Sequence, residues 1–512
     1  MPPILVPTTY DSRTVERFVR DVDRRLEPLD RAILTAEWDL YTGRRSEGGS
    51  DRAQLRRTAL LSDPRLLPWI ERTSDRSPSR FTARRLELLE RLVRDTLVEQ
   101  QPSLVHLRGE LQRRIVRFRP RWNGRSVGRS RIQQVLRESR DRSARRRAYY
   151  ALEPLHRAME DDLRRLVRAR NDGARSQGFR SFAEMRLRFA GVTPSQLERW
   201  SEEVAGPARA QATELRDRFQ DRTRTRTWFP WDFSFARQDR GHLPPRAFPR
   251  AGMMPRILSA VRQWGFPVDR MRFRIVFHDV PAGGMTFAPH PPDDVRIVVH
   301  PTGGWLAHLV LFHEVGHAVH SASIRAPGHL LRWHENVPGF APFHEGIGGL
   351  FEEIPSLASW LRTVRGISPA RAEEFALAQR RESALDAGWH ASWLRIEQQL
   401  YCEPDRDPMA GAQRFERRVF GYDRYAPLSF VDPFFVDSPV YAPSYLLSLL
   451  FGHQLRAALL DRFGEPFWPN RRIGPWLTRH WLRPGSMVEW IPKVRELTGR
   501  PFGSAAFRAS AR

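Results

Sequence analysis

The sequence predicts a mainly α-helical fold with one small β-ribbon, and three observations predict it. Apolar residues recur at three- and four-residue intervals through most of the first 219 residues, as in Leu86, Leu88, Leu89, Leu92 and Val93, which is one face of a helix. Between about residues 271 and 300 this period gives way to β-branched and aromatic runs. From about Gly304 the helical period returns and holds to the C-terminus.

Taken in order, residues 11–219 read as helix after helix, with 43–50 and 119–130, rich in Gly, Ser and Arg, as loops between them. Residues 228–249, WFPWDFSFARQDRGHLPPRAFP, crowd aromatics and prolines together. Proline lacks an N–H and clashes with the preceding turn, so this stretch is not one regular helix. Residues 271–280, 284–289 and 294–300 read as strands, with Pro291 and Pro292 turning the chain between the last two. Helices follow to the end, interrupted by an aromatic loop at 422–436, with no repeat of fixed period.

Composition narrows the function. Hydrophobic residues are 41% and charged residues 28% of 512, the balance of a globular protein. The longest apolar runs, at 305–312 and 446–451, fall short of the roughly 18 residues a membrane span needs, so no membrane partner is expected. The N-terminus has no basic start followed by an apolar stretch, and a cytoplasmic location is the expectation. Cys402 is the single cysteine, which excludes an internal disulfide and a thiolate metal site. Any metal must therefore be held by His, Asp or Glu. The net charge of +25 is nearly all Arg, Lys493 being the one Lys, spread among Asp and Glu along helices. It reads as a solvated surface, and nucleic acid is not expected as a partner.

The chemistry concentrates in WLAHLVLFHEVGHAVHSAS. At ~100° per residue, His313 and His317 point within about 40° of each other on a helix, so both imidazoles can reach one ion. Glu314 lies on the adjoining face, displaced from ligation yet close enough to act as a base on water. A catalytic zinc takes a third protein ligand, and FHEGIGGLFEEIPS offers Glu345 or Glu353. Glu345 is favoured because it begins a helix whose next turn carries Gly346, Gly348 and Gly349. Each interior glycine costs about 0.5–1 kcal/mol relative to alanine, so the cluster predicts close approach of another backbone, the metal helix being the natural neighbour. Glu352, on the face of Glu345 two turns on, either orients an imidazole from behind or pairs with a surface Arg. Of the nearby His320, His329, His334 and His344, the first two read as structural and His344 as a candidate substrate contact.

HEVGHAVH followed by NVPGFAPFHEGIGG resembles the zinc motifs of angiotensin-converting enzyme, and FEEIPS resembles those of thimet oligopeptidase and oligoendopeptidase F. Upstream, LVRARNDGARSQGFRSFAEMRL is similar to the helix–turn–helix before the catalytic region of these families, and GGMTFAPHPPDDVRIVVHP to their β-ribbon, whose edge strand pairs with substrate backbone. PVYAPSYLLSLLFGHQL is similar to their tyrosine-bearing helix start, and RELTGRPFGSAAF to their last turn. The resemblance covers the chain from about residue 160 onward.

It implies a two-lobed helical metallopeptidase with a deep substrate channel, residues 1–175 forming an N-terminal helical lobe and 176–512 the catalytic region of one continuous unit. It implies one zinc ion on His313, His317 and Glu345, with Glu314 as base and later proton donor. Tyr445 would stabilise the oxyanion, with Tyr441 as runner-up or peptide contact, and His290 would sit near substrate. Apart from any family, a phenol beside zinc makes chemical sense, because its hydrogen bond to a developing oxyanion strengthens only in the transition state. The chain departs from the converting-enzyme pattern at Gly349, where that pattern carries an Asp behind the metal, and in lacking a His just before Pro439. These departures bear on dipeptidyl-carboxypeptidase specificity rather than on zinc chemistry. The expected activity is zinc-dependent hydrolysis of short oligopeptides. The alternatives are a carboxypeptidase or peptidyl-dipeptidase of the same fold, and, from another class, an Arg-rich polyanion-binding protein on an inactive peptidase fold.

Overall fold

Amphipathic periodicity becomes helix along most of the chain in the computed structural model, which describes residues 5–44, 51–73, 79–238, 243–280, 283–332, 338–426, 428, 431–432 and 434–511. Helix α1 (Ser12–Tyr41) starts where the Asp11 side chain accepts the N–H groups of Arg13 and Thr14, satisfying donors that have no partner inside the helix. Its buried face, Val15, Phe18, Val19, Val22 and Leu26, packs with Leu86, Leu89, Leu92 and Val93 of α2 (Arg80–Glu99) into a small N-terminal core. The principal core takes in α3 (Glu153–Arg175) through Leu163, Leu166 and Val167 and continues to Phe507 near the C-terminus. Residues before and after 175 thus share one apolar interior.

The irregular stretches resolve into short elements. Within 119–130, Arg121–Trp122 pairs with Arg125–Ser126 as a hairpin and a helix begins at Arg129. Within 228–249, Pro230–Arg237 is helical, with its proline in the first turn, where a missing N–H breaks no hydrogen bond. Most of the expected 43–50 loop lies outside the described residues.

The ribbon is a three-stranded sheet of β1 (Phe273–Phe277), β2 (Gly284–His290) and β3 (Asp294–Val299) in the order β1-β3-β2. Strand β3 runs parallel to β1 and antiparallel to β2, with Gly284 opposite Val299. Alternation decides its faces: Val295, Ile297 and Val299 enter the principal core, while Val298 packs with Trp38 and Leu34 of α1. Strand β2 is left on the edge.

Helix α4 (Trp305–Ser323) spans the HEVGH segment and is buried along most of its second half, as a helix apolar on nearly every side must be. Helix α5 (Ala341–Glu352) packs beside it, α7 (Ala442–Phe463) packs against α5, and α6 (Pro369–Cys402) backs α7. Among the described residues no helix is long and apolar enough to cross a membrane.

Candidate active site

His313 and His317, one turn apart on α4, place their ring centroids 4.4 Å from each other at 89°. Helix α5 crosses α4 closely because both carry glycine at the crossing. A Cβ on Gly316 would lie 3.1 Å from Gly348 Cα, and one on Gly348 only 2.7 Å from His313 Cε1. That approach brings Glu345 Oε2 to 3.3 Å from His313 Nε2. One donor atom from each of His313, His317 and Glu345 lies within 4.8 Å of the others. Two ligands bound ~2.0–2.1 Å from one tetrahedral zinc are separated by about 3.3–3.4 Å, so the His313–Glu345 spacing suits such an ion. Of the glycine cluster only Gly348 serves this crossing; Gly346 abuts Phe451 of α7, and a Cβ on Gly349 would meet nothing. Gly348→Ala is therefore expected to push the His313 ring aside and lower zinc affinity at least ~10-fold, read by chelator competition, whereas Gly349→Ala should leave it unchanged.

The donors are held from behind. Glu352 Oε1 lies 2.9 Å from His313 Nδ1, which turns Nε2 toward the cluster and supplies the carboxylate that position 349 lacks. Tyr441 donates its hydroxyl to Glu345 Oε1 at 2.6 Å, leaving Oε2 on the His313 side. Glu353 turns away to Arg456 Nε at 2.7 Å, so the structure brings Glu345 and not Glu353 to the histidines. Burial alone would lower the proton affinity of His313, but the Glu352 and Glu345 carboxylates outweigh it and raise it. An environment that favours a proton on this ring also favours a divalent cation beside it.

Glu314 is buried, and its Oε2 accepts the Thr286 hydroxyl at 2.7 Å. Burial pushes its carboxyl up to about 7, against the lowering effects of His313 and Thr286, which suits a group that must take and give a proton near neutrality. Room for it comes from Gly284 on β2, where a Cβ would sit 2.8 Å from Glu314 Cγ. Neither Thr286 nor Gly284 was singled out from sequence; the one signal was the glycine pair opening GGMTF.

A cavity of about 370 Å³ opens beside the cluster, lined by His313, Glu345 and Tyr445 among others. Tyr445 stacks on His390, centroids 5.4 Å apart at 10°, and its hydroxyl makes no hydrogen bond to a described residue. With Tyr441 engaged by Glu345, Tyr445 is the one of the two phenols that lines the cavity. His344 lies flat on His317, centroids 3.8 Å apart at 11°, and burial pushes it down to about 4, keeping it neutral. It packs against His317 and does not line the cavity. The structure does not bring His290 to the cluster either: its Nε2 sits 3.1 Å from Glu27 of α1, roughly 13 Å along β2 from Thr286 at ~3.3 Å per residue. His329 bonds Asp30 at 2.7 Å and His320 is fully buried beside Phe343, both structural placements, while His334 lies outside the described residues.

No protein-family model and no curated protein matches this sequence. Among solved structures the chain is similar to Trypanosoma cruzi metallocarboxypeptidase 1, with a TM-score of 0.67 over 97% of this chain and 98% of that one. The two chains share a fold. At 16% identity the likeness extends to the architecture and no further, and that architecture is the mainly helical one expected from sequence.

Proposed function

We propose that this protein is a zinc-dependent metallopeptidase acting on short oligopeptides. The observation that carries the reading is the convergence of His313, His317 and Glu345 on one point, with Glu314 on the same turn of α4. Two imidazoles and a carboxylate form a borderline, oxygen-and-nitrogen donor set suited to zinc. The likeness in fold to a metallocarboxypeptidase and the resemblance of the motifs to those of thimet oligopeptidase and angiotensin-converting enzyme both support it. When bound, the ion supplies a Lewis acid for the scissile carbonyl and the attacking water.

The chain's own residues do the rest. Glu314 accepts the proton of the water and returns it to the leaving amine, with Thr286 fixing its orientation. Glu352 and Tyr441 hold His313 and Glu345 in place. Tyr445 donates to the oxyanion as charge develops. Strand β2 passes Glu314 as the edge strand of its sheet, so an extended peptide can pair with it.

Incubation with a mixed peptide library, with and without chelator, tests the reading by mass spectrometry of the cut sites. Hydrolysis that stops on chelation and returns with zinc is expected; undiminished cleavage by the metal-free protein would overturn the reading. A second reading, removal of C-terminal residues, is favoured by the named neighbour and by Arg380. This exposed residue lines the same cavity as His313 and pairs with no carboxylate among the described residues, which leaves its guanidinium available to a terminal carboxylate. Amidated peptides in the same library separate the two: single-residue trimming blocked by amidation marks a carboxypeptidase, internal cuts indifferent to it an endopeptidase.

A further inference from the structure

The chain between the short helix Phe434–Asp437 and the start of α7 carries Tyr441 to Glu345, and it is held in an unusual way. Val440 has φ 57, in the left-handed region that a β-branched residue rarely enters. Such a conformation persists only where the surroundings over-determine it. Two buried polar side chains from the interior do so. Arg170 of α3, 0% exposed, donates to the carbonyls of Phe435 and Val436, each at 2.9 Å, while its Nε rests on Glu99 at 2.7 Å. Glu397 of α6, 1% exposed, accepts the Val440 N–H on Oε1 at 2.6 Å and the Ala442 N–H on Oε2 at 3.3 Å. A guanidinium thus takes the inward-facing carbonyls at one end of the strap, and a carboxylate takes the inward-facing amides at the other.

Burying a carboxylate is costly, and an apolar side chain would fill the same space more favourably. What Glu397 supplies instead is two acceptors for two backbone donors that flank Tyr441. The phenol between those anchored amides reaches Glu345 Oε1 at 2.6 Å, and the other oxygen of Glu345 is the one that faces His313 Nε2.

We propose that Glu397 is a positioning residue for the metal centre: by gripping the backbone on both sides of Tyr441 it fixes the Tyr441 hydroxyl on Glu345 and so sets the direction of the third donor. This rests on the metallopeptidase reading of the site. The chain of contact runs from Glu397 to the backbone by two hydrogen bonds, from the backbone to the phenol through the Tyr441 side chain itself, and from the phenol to the Glu345 carboxylate by a third hydrogen bond.

A double-mutant cycle tests it. Glu397→Gln, Tyr441→Phe and the double variant are compared for zinc affinity by chelator competition and for kcat and KM on one oligopeptide. Glu397→Gln puts an amide N–H against a backbone N–H, and it is expected to weaken zinc roughly 10-fold and lower kcat by a similar factor with KM little changed, as loss of support behind a metal ligand does. In the Tyr441→Phe background the same change should have almost no further effect, because the hydroxyl it positions is already gone. Equal losses in both backgrounds, or unchanged affinity in Glu397→Gln, overturn the positioning role. If Glu397→Gln does not fold, Glu397→Asp replaces it in the cycle, since the shorter side chain keeps the carboxyl but draws it back from the two amides, and the same coupling to Tyr441 is required. A parent protein that cleaves peptides and binds zinc while the cycle is additive overturns this inference alone; a parent that does neither overturns the metallopeptidase reading with it.

Discussion

Glu314→Gln is expected to retain zinc while losing about 10²–10⁴-fold in kcat, the range by which a positioned general base accelerates proton transfer. The metal should stay because Glu314 contributes no atom to the donor cluster of His313, His317 and Glu345. The fold should stay because glutamine keeps the shape of the side chain and still accepts the Thr286 hydroxyl that now reaches Oε2. Only the capacity to bind a proton is lost. Metal analysis beside steady-state kinetics on one peptide decides the matter: parental kcat in a zinc-loaded Glu314→Gln protein would remove Glu314 from the mechanism.

The second large effect separates two carboxylates eight residues apart, one in the first turns of α5 and the other at its C-terminal cap. Glu345→Ala should lose stoichiometric zinc and all chelator-sensitive activity, since it deletes one of three donors and the partner of both Tyr441 and His313. Glu353→Ala should keep zinc, because that side chain is committed to Arg456. It frees Arg456 inside the cavity wall, so its cost is expected in peptide affinity or stability rather than metal content. Zinc retained by Glu345→Ala and lost from Glu353→Ala would reverse the assignment.

The two histidines and the base were legible in sequence because their relation is local. Positions 313, 314 and 317 sit on one helix, and helical geometry alone fixes where they point. The strands were legible for a similar reason, since a change from helical period to β-branched and aromatic runs needs no partner to be seen. Glu345 was half legible: the glycine cluster announced a close helix crossing, but only the packing shows that Gly348 makes that crossing and that Gly346 answers to Phe451. Thr286, Gly284 and the Glu397 grip on 440 and 442 were not legible, because each acts on a group far away in sequence.

His290 and His344 mark the limit from the other side. The resemblance made His290 a candidate for substrate contact, and proximity to the motif made His344 one. The structure gives one to Glu27 and stacks the other on His317. Of the two tyrosines, the resemblance favoured Tyr445 for the oxyanion with Tyr441 as runner-up, and packing engages Tyr441 with Glu345.

By itself the sequence determined the fold class, the helix that carries the histidine pair and the type of donors any metal could have, since all three follow from periodicity, helical angle and the single cysteine. The tertiary structure decided which carboxylate joins the pair, which phenol that carboxylate engages and what holds each in place. Those choices depend on how closely helices from distant parts of the chain approach, and that distance is set by side-chain volume at the crossings, which no local pattern records.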